Sequence, residues 1–176
     1  LSGTDEQLLS RALAGDAAAF GTLVRSYQGS VYSLALRMLS DRQKAEDLAQ
    51  EVFLRLYRNL ASIGSLEHLS FWLRKVTVNG AIDRLRRDTR YEAVPLAEAD
   101  DLASETAEKD PLLERRLRSL LAKLAPAARA VLLLRYQEDL EPADIARTLS
   151  MSINTVKSHL KRSLAMLREC IGESVI

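Results

Sequence analysis

The sequence predicts an all-α protein: two small helical domains joined by a flexible acidic linker, with a helix-turn-helix in the second. Three observations lead there. Apolar residues recur at three- and four-residue steps over long stretches, and strict apolar–polar alternation is nowhere sustained. Only seven glycines and four prolines interrupt 176 residues, of which 47% are hydrophobic, enough to bury real cores. The net charge of +1 is unevenly spread, with +2 over residues 1–95, −6 over 96–114 and +5 over 115–176. The acidic strip LAEADDLASETAEKDPLLE separates two mildly basic blocks and reads as a linker rather than core. This places the first domain at residues 1–92, the linker at 93–111 and the second domain at 112–176.

Taken in order, Asp16 is expected to cap a helix whose apolar positions are Phe20, Val24, Tyr27, Val31, Leu34 and Met38. Ser40 with Gln43 offers a capping box for the next helix. There Ala45, Leu48, Ala49, Val52, Leu56 and Leu60 form a buried stripe, leaving Glu46, Asp47, Gln50, Glu51, Arg55 and Arg58 outside. Ser62 to Ser70, which contains Gly64, reads as a loop.

The helix that follows has two unlike faces. Phe71, Val78, Ala81, Ile82 and Leu85 cluster on one side. Trp72, Lys75, Asn79, Asp83, Arg86 and Arg90 make a second stripe expected to point away from the core. A solvated charged face accounts for the charges but not for an outward tryptophan. Aromatic rings stack on unpaired bases, Lys and Arg hold phosphates and Asn reads a base edge, so the mixture suits a single-stranded segment. Gly80 falls on the polar side of this helix, where it either permits close approach of a nucleic-acid backbone or is a tolerated defect.

In the second block LLERRLRSLLAKLA is broken at Pro126, which suits the first turn of a new helix. Pro142 opens a short helix running to Leu149, Ser150 to Ser152 makes a turn, and the last helix starts near Ile153. This is the layout of a helix-turn-helix. Ile145, Ala146 and Leu149 supply the small apolar face of its first helix. Ile153, Val156, Leu160, Leu164, Leu167 and Ile171 supply the core stripe of its second. Asn154, Lys157, Ser158, Lys161 and Arg162 point away from that stripe with donors suited to phosphates and base edges.

Other chemistries find little support. No nucleophile elbow, glycine-rich phosphate loop or paired metal ligands occur, so no enzyme, no cofactor and no metal site are expected. Cys170 and His159 share a helical face but sit roughly 16 Å apart along it, too far for one metal ion. No apolar run is long enough for a membrane span and no secretory signal opens the chain, so a cytoplasmic protein without membrane insertion is expected. A stand-alone helix-turn-helix regulator usually dimerises, and no dimerisation coil is evident.

The runs DLAQEVFLRLYRNL, FWLRKVTVNGAIDRLRR and DIARTLSMSINTVKSHLKRSLAMLR, in this order, resemble the extracytoplasmic-function sigma factors of bacterial RNA polymerase over nearly the whole chain. The resemblance implies a transcription initiation factor that binds the core enzyme and directs it to promoters. It implies that Asp47, Gln50, Glu51 and Arg55 dock on the polymerase. It also implies that His68, Trp72, Lys75, Asn79, Asp83, Arg86 and Arg87 melt the −10 element and capture its non-template strand. Asn154, Thr155, Lys157, Ser158, Lys161 and Arg162 would then read the double-stranded −35 element. Further implications are a linker whose negative charge mimics RNA and control by an anti-sigma factor. The loop IGSLEHLS departs from the family pattern, leaving the −10 sequence open. Because the chain starts at Leu1 rather than Met, a short natural N-terminus is expected to be missing, and no added C-terminal regulatory domain is expected.

Overall fold

The computed structural model describes residues 3–91 and 111–172, and all regular structure among them is helical. Helix α1 spans Gly3–Leu13, α2 Ala17–Leu39 and α3 Arg42–Asn59; a 3₁₀ turn at Leu60–Ser62 leads to α4, Leu66–Tyr91. After the undescribed stretch come α5 at Pro111–Ala122, α6 at Pro126–Tyr136, α7 at Pro142–Leu149 and α8 at Ile153–Gly172. The expected linker lies almost wholly outside the described residues.

Local chemistry sets the boundaries. Asp16 caps α2 as expected, its carboxylate accepting from the backbone N–H of Ala18 at 2.9 Å and of Ala19 at 3.0 Å. Arg11 donates to the same carboxylate from Nε at 2.9 Å, tying α1 to the start of α2. At the other end of α2 the expected capping box is not formed. Ser40 instead takes a left-handed conformation, φ 57°, and closes α2 with its N–H on the Leu36 carbonyl. With Ser40 used as the C-cap, Asp41 caps α3, accepting from the Lys44 N–H at 3.0 Å.

The expected loop from Ser62 to Ser70 is also shorter. Leu66, Leu69 and Leu73 are buried at helical spacing, so helix α4 begins early, and the Ser65 hydroxyl accepts the His68 N–H at 3.1 Å at its start. Proline leads both α6 and α7, where a missing N–H costs nothing. Ser150, φ 53°, closes α7 with its N–H on the Ala146 carbonyl, and Ser152 accepts from the Thr155 N–H at 3.1 Å to start α8.

Helices α1 to α4 pack around Leu23, Leu34, Met38, Leu48, Val52, Leu56, Leu69 and Val78, each nearly inaccessible. On α2, Ala19 and Leu23 are buried where Phe20, Val24 and Tyr27 are only half-buried, because the stripe shifts by one residue toward α1. Helices α6, α7 and α8 close a second centre on Val131, Leu134, Ile145 and Val156. Ala49 and Leu149, expected inside, are half-buried, as are Leu160, Leu164 and Leu167. Ile153 departs most from expectation. It stands 44% exposed on the first turn of α8, before the helix comes under α6 and α7. Helices α6 and α7 also lie against α2 and α4, so the buried side chains of both halves form one contiguous cluster.

Candidate protein and nucleic-acid interfaces

Helix α3 buries Ala45, Leu48, Val52 and Leu56 at three- and four-residue steps and turns its other side outward. Asp47, Gln50 and Arg55 are exposed there, while Glu51 is half-buried. Glu51 accepts from Arg84 of α4 at 2.6 Å and also pairs with Arg55. The hydrogen bond from Arg84, together with the Arg55 and Arg84 charges, outweighs the desolvation of its burial and holds its carboxyl below the usual glutamate range. Glu51 therefore braces α3 on α4 as well as facing outward.

Two neighbours escaped the sequence reading. Leu54 is 58% and Tyr57 65% exposed, and Tyr57 meets Phe20 edge-on at 5.2 Å between ring centres. The signal was present, since both fall off the stripe that runs through Val52, Leu56 and Leu60. A charged patch with two exposed apolar side chains beside it has the composition of a protein-binding surface.

The α4 stripe is not uniform. His68 is exposed, its Nδ1 accepting the Gly64 N–H at 3.3 Å. Trp72, expected to point outward, is half-buried and packs against the core. The early start of α4 brings its first turns into contact with neighbouring helices. Lys75 and Asn79 are half-buried, Asp83, Arg86 and Arg87 are exposed, and the side chain of Arg90 lies outside the described residues. Phe71, expected in the core, is half-buried with the Lys75 ammonium 5.7 Å from its ring centre. Thr77, buried and bonded at 2.7 Å to the Leu73 carbonyl, marks the side of α4 that faces inward.

Gly80 is not on an open polar side. A Cβ built there would stand 2.7 Å from Leu48 Cδ1, so the glycine lets α3 and α4 approach closely. Of the two readings open from sequence, a nucleic-acid backbone or a tolerated defect, neither describes the site: the close approach is made by a leucine.

On the third surface, Asn154, Thr155, Lys157, Ser158, Lys161 and Arg162 are all exposed along the first half of α8. Val156 and Ser163 are buried on the opposite side, against α6 and α7. The Ser152 and Thr155 hydroxyls share a 2.8 Å hydrogen bond that fixes the first turn. Two cationic lysines, one arginine and three small polar side chains on an exposed helix fit the major groove in width and chemistry. His159 and Cys170 are half-buried, and no group of three or more metal-ligating side chains occurs among the described residues. Among those residues no helix is long and apolar enough to cross a membrane.

Residues 23–91 match the family model for sigma-70 region 2, and residues 114–167 match the one for sigma-70 region 4. The chain is 30% identical over 171 residues to the ECF RNA polymerase sigma factor SigW of Bacillus subtilis, covering 88% of this chain and 90% of that protein. It is 29% identical to the ECF RNA polymerase sigma factor SigK of Mycobacterium bovis, covering 99% of this chain and 97% of that one. Its fold is similar to that of the sigma factor RpoE solved with the anti-sigma factor NepR from Bartonella quintana. The TM-score is 0.73 at 21% identity, over 87% of this chain and 96% of that one.

Proposed function

Because this chain belongs to the ECF RNA polymerase sigma factors, initiation factors that bind the core enzyme and direct it to promoters, we propose that its three outward surfaces divide that work. Asp47, Gln50, Glu51 and Arg55, with the exposed Leu54 and Tyr57 beside them, form the polymerase-docking surface. His68, Trp72, Lys75, Asn79, Asp83, Arg86 and Arg87 line the face that opens the −10 element and holds its non-template strand. Asn154, Thr155, Lys157, Ser158, Lys161 and Arg162 read the −35 element in the major groove.

The observation that carries this assignment is the last set, six exposed polar side chains on the second helix of a helix-turn-helix whose opposite side is buried. The functional units are residues 1–92 and 112–176, with 93–111 as an acidic connector that takes the place of RNA near the active centre. The protein has no catalytic role of its own and works in the cytoplasm, where its polymerase is. An anti-sigma factor controls it by covering the docking and DNA surfaces; the similar fold of RpoE, solved with NepR, supports this reading.

In vitro transcription with purified core polymerase across a library of genomic fragments tests the assignment. Initiation should cluster at fragments sharing one −35 and one −10 element. Asp47→Arg should lose core binding with its helical content intact, because charge reversal against a matched surface costs more than a lost contact. Trp72→Ala should melt promoters poorly and recover on pre-melted templates, since stacking a base is worth about 1–3 kcal/mol. Tight binding to palindromic duplex without polymerase, and no promoter-dependent initiation, would overturn the proposal.

A further inference from the structure

Arg129 and Arg84 both reach across helices, but to unlike acceptors. Arg129 of α6, only 5% exposed, donates from Nη1 to the Met38 carbonyl in the last turn of α2 and from Nη2 at 3.0 Å to the Ala122 carbonyl that ends α5. Its acceptors are main chain, so its work ends within the fold. Arg84 of α4 donates from Nη2 at 2.6 Å to a side chain, the Glu51 carboxylate. That carboxylate stands among the exposed Asp47, Gln50 and Arg55 of the α3 surface.

The packing of α3 on α4 makes this reach possible. Gly80 lies one turn before Arg84, and the place its Cβ would take is 2.7 Å from Leu48 Cδ1 and 3.4 Å from Arg84 Nη1. The bare backbone lets α3 in close and leaves the guanidinium a path beside it. Nη1 donates at 3.2 Å to the Gly80 carbonyl, which sets the plane of the fork while Nη2 holds Glu51. The Arg84 side chain is 20% exposed and that of Glu51 38%, so solvent reaches the carboxylate more than its anchor. Arg55 takes the other carboxylate oxygen from within α3. Pinned between two guanidinium groups, Glu51 stays ionised and has few rotamers left to it.

We propose that Arg84, although it belongs to the helix assigned to promoter melting, is a positioning residue for polymerase docking. It fixes the Glu51 carboxylate in the orientation that core enzyme meets, a role that rests on the assignment of α3 to the polymerase. A glutamate free on a helix surface loses its rotamer freedom when it docks. One already held loses less, so affinity is gained without a new contact. The rival role for Arg84 is one more cation on the phosphates of the −10 strand. Against it, both terminal nitrogens of Arg84 already have acceptors within the chain.

The test is the affinity of the labelled full chain for core polymerase, read by fluorescence anisotropy. Arg84→Met should weaken binding about threefold to tenfold, the factor for one side chain left to be ordered on docking. Arg84→Lys, which keeps the charge beside Glu51, should recover most of it, and Arg84→Gln serves if Arg84→Met folds poorly by circular dichroism. In a Glu51→Ala background Arg84→Met should add nothing, because the group it positions is gone. Asp88→Asn cuts the other ion pair between the same helices, Lys44 to Asp88 at 2.7 Å, and should leave core affinity unchanged. Without polymerase, a carboxyl-carbon NMR titration of Glu51 should show its midpoint rising in Arg84→Met and not in Asp88→Asn. An unmoved midpoint would refute the pairing. A loss that adds to that of Glu51→Ala, or an equal loss in Asp88→Asn, would show that Arg84 only braces two helices. Tighter core binding by Arg84→Met would show that Arg84 competes with polymerase for Glu51. Unchanged core affinity would refute the proposal, and a shallower salt dependence of −10 strand binding would then give Arg84 to the DNA. Asp47→Arg that still binds core enzyme would instead refute the assignment of α3, whatever Arg84 does.

Discussion

At Gly80 the chain gives up about 1 kcal/mol of helix propensity relative to alanine. The structure supplies the reason, since a Cβ there would stand 2.7 Å from Leu48 Cδ1 and Leu48 is only 2% exposed. The leucine tip is the flexible end of its side chain, but it sits in a packed core where an added methyl forces off-rotamer positions costing about 1–3 kcal/mol. The two effects oppose each other, and the packing cost is the larger. Gly80→Ala should therefore lower stability by about 1 kcal/mol, and Gly80→Leu by more, in denaturant melts followed by circular dichroism. A more stable Gly80→Ala would mean that α3 and α4 have room to separate. Sequence alone identified the glycine as costly but left open whether it served a nucleic-acid approach or was a tolerated defect, because helical spacing says which side of α4 it occupies and not what approaches that side.

Along α8 the exposed side chains share one helix but not one role. Removing a phosphate contact should weaken binding about equally on all sequences and lower the salt slope by roughly one unit. Losing a base contact should cost roughly 1–3 kcal/mol on the preferred element and relax the preference at one position. Arg162 and Ser158 stand farther round from the buried Val156 side than Lys157, so they are expected to give specificity and Lys157 phosphate affinity. Transcription from a library randomised across the −35 element, at two salt concentrations, reads all three alanine variants. A changed consensus for Lys157→Ala, with only lower output for the other two, reverses the assignment. Helix α8 and its turn were legible in sequence because local signals coincide there: Pro142, the turn at Ser150 to Ser152, and a basic polar face. The start of α4 was not, because Gly64 and the serines look like a loop until Leu66 and Leu69 find a core to enter.

For the molecule as a whole, the buried side chains of both halves belong to one cluster, and Arg129 holds it across the boundary. The chain should then unfold in a single calorimetric transition, as one cooperative unit does. Arg129→Met keeps the volume but leaves the Met38 and Ala122 carbonyls without their donor. It should cost about 1–3 kcal/mol and broaden or split the transition as the halves uncouple. Two transitions in the parent chain would show that the halves are energetically independent despite their contact. An unchanged single transition in Arg129→Met would show that apolar packing alone couples them.

By itself the sequence determined the helical class, the helices from α2 onward, the helix-turn-helix and the family, because periodicity, capping residues, prolines and charge blocks act within a few residues of one another. It also marked the polar face of α8 and most of that of α3, where Glu46 and Glu51 are half-buried instead. Only the tertiary structure decided that Trp72 is half-buried, that Gly80 faces Leu48, that Ile153 stands exposed and that Arg129 is enclosed between the halves. Each of these depends on which distant surface arrives at the position. An arginine in PAARAVLLLRY carries no local sign that its partners are carbonyls at the ends of two other helices. A buried charge is stable only where such partners converge, and that convergence is a property of packing.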